Sequence, residues 1–141
     1  DACFKHFHQP AEFGKKVDYN FDQIKNATGY DHNWCLNTYK NGKGDDKTVC
    51  ASLYSPKSGI LLEVFTNEPG IQVYTGNFQG TGIACKHGIK YPKHVSVCFE
   101  SQKYPDSPTK IAQGVKDWTD ATLKPGEKYY SHLAYKFSVK K

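Results

Sequence analysis

The carboxylates, histidines and amides of this sequence are the side chains that could perform chemistry, and Glu100 is the first candidate. Residues 94–100 alternate in polarity, which predicts a strand with Val95, Val97 and Phe99 on one face and Glu100 on the other. A carboxylate on such a face, flanked by aromatic and apolar neighbours, could act as a desolvated general base. A glutamate that faces solvent or forms an ion pair is the competing interpretation.

The histidines are weaker candidates for catalysis or metal binding than Glu100. His6 and His8 could chelate a metal, but no further ligands follow at the spacing of a metal site, so we expect no metal. His32 lies between Asp31 and Asn33 and is expected to be a hydrogen-bonded structural histidine. The sequence contains no phosphate-binding loop, dinucleotide fingerprint or Gly-x-Ser-x-Gly motif. Nucleotide-binding and serine-hydrolase functions therefore lose their usual support.

Short strands bounded by turn residues must position these side chains. At residues 71–74, Ile71 and Val73 face one side of the predicted strand, whereas Gln72 and Tyr74 face the other. Residues 55–59 form a turn, residues 101–122 a surface loop with a helical turn, and the first 30 residues remain unassigned. The predicted strands are residues 48–54, 60–66, 71–74, 94–100 and 129–139, the last in the middle of a sheet. This succession predicts an all-β fold, an antiparallel sandwich or barrel.

Length and composition limit the classes of protein. A chain of 141 residues with 38% hydrophobic and 14% aromatic residues fits one globular domain. No apolar run approaches the roughly 20 residues of a membrane span, so we expect no membrane partner. The 19 basic residues are all lysines, and they are dispersed along the chain. Because nucleic-acid readers rely on the planar arginine side chain, the net charge of +5 does not predict nucleic-acid binding.

Five cysteines are widely spaced and odd in number, without a Cys-x-x-Cys pair. Buried free thiols are the favoured interpretation, and disulfides stay possible for an extracellular chain. The compartment is therefore open, with the cytoplasm favoured over an extracytoplasmic location.

Four ordered blocks of residues resemble those of the aldose 1-epimerase, or galactose mutarotase, family. The first reads GYDHNW, the second LEVFTNEPGIQVYTGNF and the third VCFESQKYPDS, and LKPGE with the YKF ending also fits. These stretches are residues 29–34, 62–78, 97–107, 123–127 and 135–137.

The resemblance implies an antiparallel β-sandwich of galactose-mutarotase-like type, with residues 1–141 as its C-terminal portion and the N-terminal half absent. It implies interconversion of the α and β anomers of a free aldohexose, galactose or glucose, without a cofactor or metal. In this family the glutamate of the third block is the general base, which corresponds to Glu100. Asp31 and Gln72 correspond to residues that bind the monosaccharide substrate.

The family's general acid is a histidine, assisted by a second histidine and an arginine, all upstream of the matched blocks. This chain contains no arginine, and His6 and His8 lie too close to Asp31 to occupy those places. We therefore expect a fragment or part of a larger enzyme, completed by the missing N-terminal half or by another chain. The alternatives are a non-catalytic carbohydrate-binding protein and an assembly protein derived from the same fold.

Overall fold

The computed structural model describes residues 7, 9–15, 17–80 and 82–140, and strands dominate its secondary structure. A 3₁₀ turn lies at Lys86–Gly88. In chain order the helices and strands are α1 (Asp22–Ala27), β1 (Asp31–Cys35), β2 (Tyr39–Lys40), β3 (Lys43–Gly44), β4 (Ala51–Tyr54), β5 (Ile60–Thr66), β6 (Gly70–Tyr74), β7 (Cys98–Gln102), α2 (Ser107–Ala112) and β8 (Leu133–Val139). The prediction of an all-β chain is confirmed.

The strands form three sheets, with orders β1-β6-β7, β2-β3 and β4-β5-β8. Strand β5 pairs antiparallel with β4 and with β8, so that Leu62 lies opposite Leu53 on one side and Phe137 on the other. The predicted hairpin is also present. Its loop is closed by a hydrogen bond from the Ser55 backbone N–H to the Ile60 carbonyl (2.9 Å), and Gly59 supplies the positive φ of +71° that the turn requires.

The chain divides into two compact units. In the described residues, unit 1 comprises the chain up to His32 together with Val73–Cys98. Its buried core includes Ile24 of α1 and Tyr30. The rings of Phe7 and Phe13 lie against the Tyr30 ring, with centroids 5.2 and 6.4 Å away in edge-on orientations.

Unit 2 comprises Asn33–Gln72 and the chain from Phe99 onward. Its buried apolar side chains are Leu36, Val64, Ile71 and Phe99. The Tyr135 hydroxyl of β8 donates a hydrogen bond to the Phe99 carbonyl of β7 at 2.5 Å. Strand β7 is therefore tied to the β4-β5-β8 sheet through its backbone.

Three strand predictions were wrong in their boundaries. The strand expected at residues 48–54 begins only at Ala51. The strand expected at residues 94–100 begins only at Cys98, because His94 has a left-handed backbone (φ +59°) that interrupts an extended chain. The last strand begins at Leu133 rather than at residue 129. It also lies at the edge of its sheet within the described residues, not in the middle.

The cysteines at positions 35, 50, 85 and 98 are free thiols. Cys35 and Cys85 are exposed, so the expectation of buried thiols was wrong for them. Partial burial raises the pKa of the Cys50 thiol. Cys3 and the His6/His8 pair lie outside the described residues.

The described residues contain neither a membrane-spanning helix nor a cluster of metal ligands. No helix there is long and apolar enough to cross a membrane. Over the same residues, no group of three or more histidine, cysteine, aspartate or glutamate side chains is arranged to hold a metal ion.

Candidate active site

Three side-chain amides meet on one face of unit 2. The Gln102 Nε2 of β7 donates to the Asn33 Oδ1 of β1 and to the Gln72 Oε1 of β6, each at 3.2 Å. All three residues are half-buried. We refer to Asn33, Gln72 and Gln102 as the amide cluster.

The alternation of the strands explains why these side chains share a face. Ile71 on β6 and Phe99 on β7 are buried in the core of unit 2. Successive side chains of a strand point to opposite faces, so burying Ile71 turns Gln72 away from the core, and burying Phe99 does the same for Glu100. The predicted orientation of Gln72 and Glu100 away from the apolar face agrees with this burial pattern.

Glu100 lies on the face of the amide cluster. It is two residues before Gln102 on β7, a separation of about 7 Å along a strand, and so shares its face. Its side chain is exposed, and the ion pairs of the described residues do not include it. If Glu100 is only a structural residue, these observations agree with a glutamate that faces solvent. They do not agree with a glutamate in an ion pair. The described residues also do not bury it, contrary to the expectation of a desolvated base.

Asp31 begins β1 and belongs to unit 1. The backbone just before it is fixed by buried Asn77, whose Nδ2 donates to the Tyr30 carbonyl at 2.8 Å. Thr75 in turn donates from its hydroxyl to the Asn77 Oδ1 (2.7 Å). Gly29 makes this approach possible, since a Cβ there would lie 2.3 Å from the Asn77 Oδ1. Thr75 and Asn77, two residues of the second block, thus fix the backbone at the start of β1.

His32 is hydrogen-bonded, as expected. Its Nδ1 accepts the Asp31 backbone N–H at 3.0 Å, and the ring also bonds to the Gln23 backbone. Partial burial lowers the pKa of His32, and the Asp31 carboxylate opposes this effect only in part. His32 is therefore a neutral structural histidine near pH 7, protonated on Nε2 because Nδ1 is the acceptor.

Unit 1 also contains a pocket of about 150 Å³. None of the three predicted site residues lines it. His94 does, and its Nδ1 lies 3.2 Å from the Thr75 carbonyl. The other lining residues include Phe13, Tyr19, Tyr30 and Ser96.

The face of unit 2 combines one proton acceptor with several hydrogen-bonding amides. Glu100 can accept a proton, and the side-chain amides on its face form hydrogen bonds without net charge. Such a set suits a neutral polyhydroxylated ligand better than a phosphate or a metal ion.

Sequence reasoning singled out Gln72 and Glu100 but not Asn33 and Gln102. Both missed residues lie inside the quoted blocks, and Gln102 shares the strand parity of Glu100. This shared parity was the one feature of the sequence that could have placed Gln102 on the same face as Glu100. The partners of an amide, by contrast, depend on which strands become neighbours in the sheet. The assignment of Asp31 and Gln72 to sugar binding and of Glu100 to catalysis remains a prediction.

Comparison with known proteins places the chain in a family. The profile of the family described as aldose 1-epimerase matches residues 1–136. Galactose mutarotase from Bos taurus is 39% identical over 131 residues, and the match covers 93% of this chain and 34% of that protein. Aldose 1-epimerase from Escherichia coli K12 is 35% identical over 118 residues, covering 82% of this chain and 31% of the relative.

A solved structure gives the same result for the fold. The crystal structure of a GalM/aldose epimerase homologue from C. elegans matches with a TM-score of 0.61 and 25% identity. The match covers 79% of this chain and 30% of the chain in that structure. The expected galactose-mutarotase-like fold class is confirmed, and the chain spans about a third of the length of the curated relatives it matches. With nearly all of its residues matched by the family profile, this chain belongs to the aldose 1-epimerase family.

Proposed function

We propose that this chain supplies the general base and part of the sugar-binding face of a galactose mutarotase, which interconverts the α and β anomers of a free aldohexose. Two findings support the proposal. The chain is a member of the aldose 1-epimerase family, and relatives from cattle and human are named galactose mutarotase. An exposed carboxylate also shares a face with an amide cluster, which is the combination that proton transfer on a neutral sugar requires.

The reaction is one proton removal and one proton delivery. Glu100 takes the proton of the anomeric hydroxyl while an acid protonates the ring oxygen, so that the bond between the anomeric carbon and the ring oxygen breaks. The open-chain aldehyde rotates about the bond between its first two carbons. Ring closure then runs the two proton transfers in reverse and gives the other anomer. Gln72 and Asp31 hold sugar hydroxyls during this sequence.

The acid comes from outside the residues assigned here. The resemblance to the family implies a histidine, assisted by a second histidine and an arginine, and this chain has no arginine. A positioned acid or base contributes about 10²- to 10⁴-fold to the rate. Full activity therefore needs the part of a mutarotase that this stretch does not contain.

The exposed position of Glu100 on the amide face is the observation that carries the proposal. Its test is polarimetry of fresh α-galactose with the natural full-length protein and with its Glu100→Gln variant. We expect the variant to lose about 10²- to 10⁴-fold in kcat, because the amide keeps the shape and cannot accept the proton.

Glu63→Gln is the matched control. Glu63 is also a strand carboxylate of unit 2, but it forms an ion pair with Lys136 (3.1 Å) on the β4-β5-β8 sheet. The control should keep the parental rate. Unchanged mutarotation in Glu100→Gln would remove Glu100 from the mechanism. Galactose binding without any mutarotation by the full-length parent would instead identify a carbohydrate-binding protein without catalysis.

We also propose that the rest of a mutarotase, in the same polypeptide or as a second chain, covers the apolar side chains that β8 leaves exposed at the edge of the β4-β5-β8 sheet. Alternate residues of β8 are apolar and exposed: Leu133 by 42%, Tyr135 by 47%, Phe137 by 68% and Val139 by 69%. A continuous exposed apolar face is unusual for a finished globular protein. The relatives contain about twice as much further sequence as this chain matches, which is enough to cover it.

Binding of a hydrophobic dye tests this second proposal. The 141-residue chain alone should bind 8-anilinonaphthalene sulfonate strongly, and Phe137→Asp should reduce that binding because it divides the apolar face. The full-length protein should bind little dye. Equal dye binding per molecule by the chain alone and by the full-length protein would contradict the proposal.

A further inference from the structure

We infer that the β2-β3 hairpin of unit 2 carries a binding site for a phosphate group, held between the ammonium groups of Lys40 and Lys43. None of its residues belongs to the amide cluster, and no step of the proposed mutarotation uses it. The inference therefore goes beyond the proposed function and can fail without it.

The hairpin holds the two lysines directly opposite each other. In the register of β2 and β3, Lys40 pairs with Lys43. The two residues between them, Asn41 and Gly42, have φ angles of +52° and +76°, as a type I′ turn requires. Opposed residues of an antiparallel pair point to the same face, with Cβ atoms about 4.5–5.5 Å apart. A tight turn thus keeps two like charges close together.

The face that carries the lysines borders a groove. The strand pairing extends one residue further, because the Asp45 backbone N–H donates to the Thr38 carbonyl at 2.9 Å. By alternation, Thr38 and Asp45 share the face of the lysines. An open groove of about 530 Å³ lies along this face, and its lining includes both lysines, Asn37 and Thr48.

The positive charges of this groove are not neutralised by the described residues. Asp45 lines the groove, but its carboxylate accepts the Thr48 hydroxyl (2.5 Å) and the Lys47 backbone N–H (2.9 Å). The bond from Thr48 is the main reason why the pKa of Asp45 is lowered. The ion pairs of the described residues include neither Lys40 nor Lys43. Because opposed like charges destabilise a strand pair, an anion between the two lysines would stabilise it.

Charge and size favour a phosphate group over other anions. A phosphate monoester carries a charge of about −1.5 to −2 at pH 7 and so matches two ammonium groups, whereas a carboxylate matches only one. Lysine binds phosphate as a point charge, so the site does not need an arginine. The groove has the volume of a small-molecule site, about 300–1,000 Å³, and is larger than one phosphate. The neutral polar side chains of Asn37 and Thr48 suit a polyhydroxylated body, as in a sugar phosphate.

The test is a titration of the natural full-length protein with inorganic phosphate and with glucose 6-phosphate, at constant pH and ionic strength. The backbone amide NMR signals of Gly42 and Gly44 report on the hairpin, and we expect them to shift saturably. Lys40→Gln and Lys43→Gln should each weaken binding about 3-fold, and the double variant about 10-fold, as expected for exposed ion pairs. Glucose without the phosphate should leave both signals in place.

Lys57→Gln is the matched control. Lys57 is an exposed lysine in the loop of the other hairpin of unit 2, between β4 and β5, and it does not line the groove. Both ligands should bind this variant within about 2-fold of the parental affinity, because it removes the same charge from a similar loop.

Thermal unfolding separates binding from a structural role. Because Lys40 and Lys43 repel each other, the double variant without ligand should melt at the parental temperature or above it. Phosphate should raise the melting temperature of the parent and of Lys57→Gln, but not that of the double variant. A double variant that melts earlier than the parent and still binds phosphate equally well would show that the lysines are structural, and would overturn the inference.

The two ligands distinguish the sources of the phosphate. Tighter binding of glucose 6-phosphate supports the site and identifies a sugar phosphate as its ligand class, whereas equal affinities support it and identify free phosphate. Shifts that do not saturate in the parent, or equal affinities in the parent and the double variant, would overturn the inference. None of these results changes the interpretation of the Glu100→Gln experiment.

Discussion

Strands β7 and β8 both alternate between apolar and polar residues, but their patterns of burial are opposite. On β7, apolar Phe99 is only 8% exposed, and polar Glu100 is the exposed neighbour. On β8, apolar Phe137 and Val139 are the exposed side chains, at 68% and 69%. An alternating strand buries its apolar face only where something packs against it. Unit 2 thus completes the core under β7, whereas one face of β8 stays uncovered within the described residues.

The largest expected effect tests this difference directly. Phe99→Ala should lower the free energy of unfolding of the 141-residue chain by about 3–5 kcal/mol, because it leaves a cavity in the core. Phe137→Ala in the same chain should change it by only about 0.5 kcal/mol. Urea unfolding monitored by fluorescence measures both. In the full-length protein, Phe137→Ala should cost about 3 kcal/mol if the proposed covering segment is present. A small effect in both forms would contradict the covering proposal.

A second comparison uses two ion pairs of unit 2. The Lys103 Nζ lies 2.9 Å from the Oε2 of Glu68, which is buried, and the pair joins the residues flanking β6 and β7. Lys103→Ala leaves this carboxylate unpaired and should cost about 2–3 kcal/mol in urea unfolding. In the Lys136–Glu63 pair the lysine is exposed and the glutamate is half-buried, not buried like Glu68, so Lys136→Ala should cost less, about 1 kcal/mol. Equal costs would show that burial does not distinguish the two pairs.

The smallest effect concerns a half-buried polar side chain of unit 1. The pKa of His32 is lowered in the folded state, chiefly by burial. The unfolded chain therefore binds more protons just below the ordinary histidine pKa of about 6.5. The stability linked to His32 is complete above that pH and is lost as the pH falls toward the lower folded pKa.

His32→Gln should flatten this dependence between about pH 7 and 5, as measured by the urea midpoint at each pH. Exposed His87, replaced by asparagine to suit its φ of +60°, is the control for the loss of one histidine. A slope that persists in His32→Gln would assign the pH dependence to other groups.

Much of the fold could be predicted because it depends on local alternation. The strand over Ile60–Thr66 was predicted with its observed bounds, and the hairpin that it forms with β4 was predicted with a first strand three residues too long. The alternation at Ile71 and Val73 was also confirmed by their burial. The failures lie where the backbone departs from the pattern, since Val95 looks like a core residue and is 50% exposed after the left-handed His94.

The candidate site was predicted less completely. Gln72 and Glu100 were identified through the motif blocks, and strand parity placed them on polar faces. Gln102 shares the strand parity of Glu100, but the hydrogen-bond partner of an asparagine or glutamine in a strand is not encoded locally. The contacts of Asn33 and Gln102 became visible only in the folded sheet, where Gln102 of β7 bonds to Gln72 of the adjacent β6 and to Asn33 of β1 beyond it.

The sequence by itself determined the family, through four ordered blocks, and the faces of the individual strands, through the two-residue period of side chains. Only the tertiary structure decided that Gln102 meets Asn33 and Gln72, which lie 69 and 30 residues away along the chain. It also decided that the apolar face of β8 is uncovered here. The physical reason is that side-chain direction is set by the local backbone, whereas contact and burial are set by the strands that pack together.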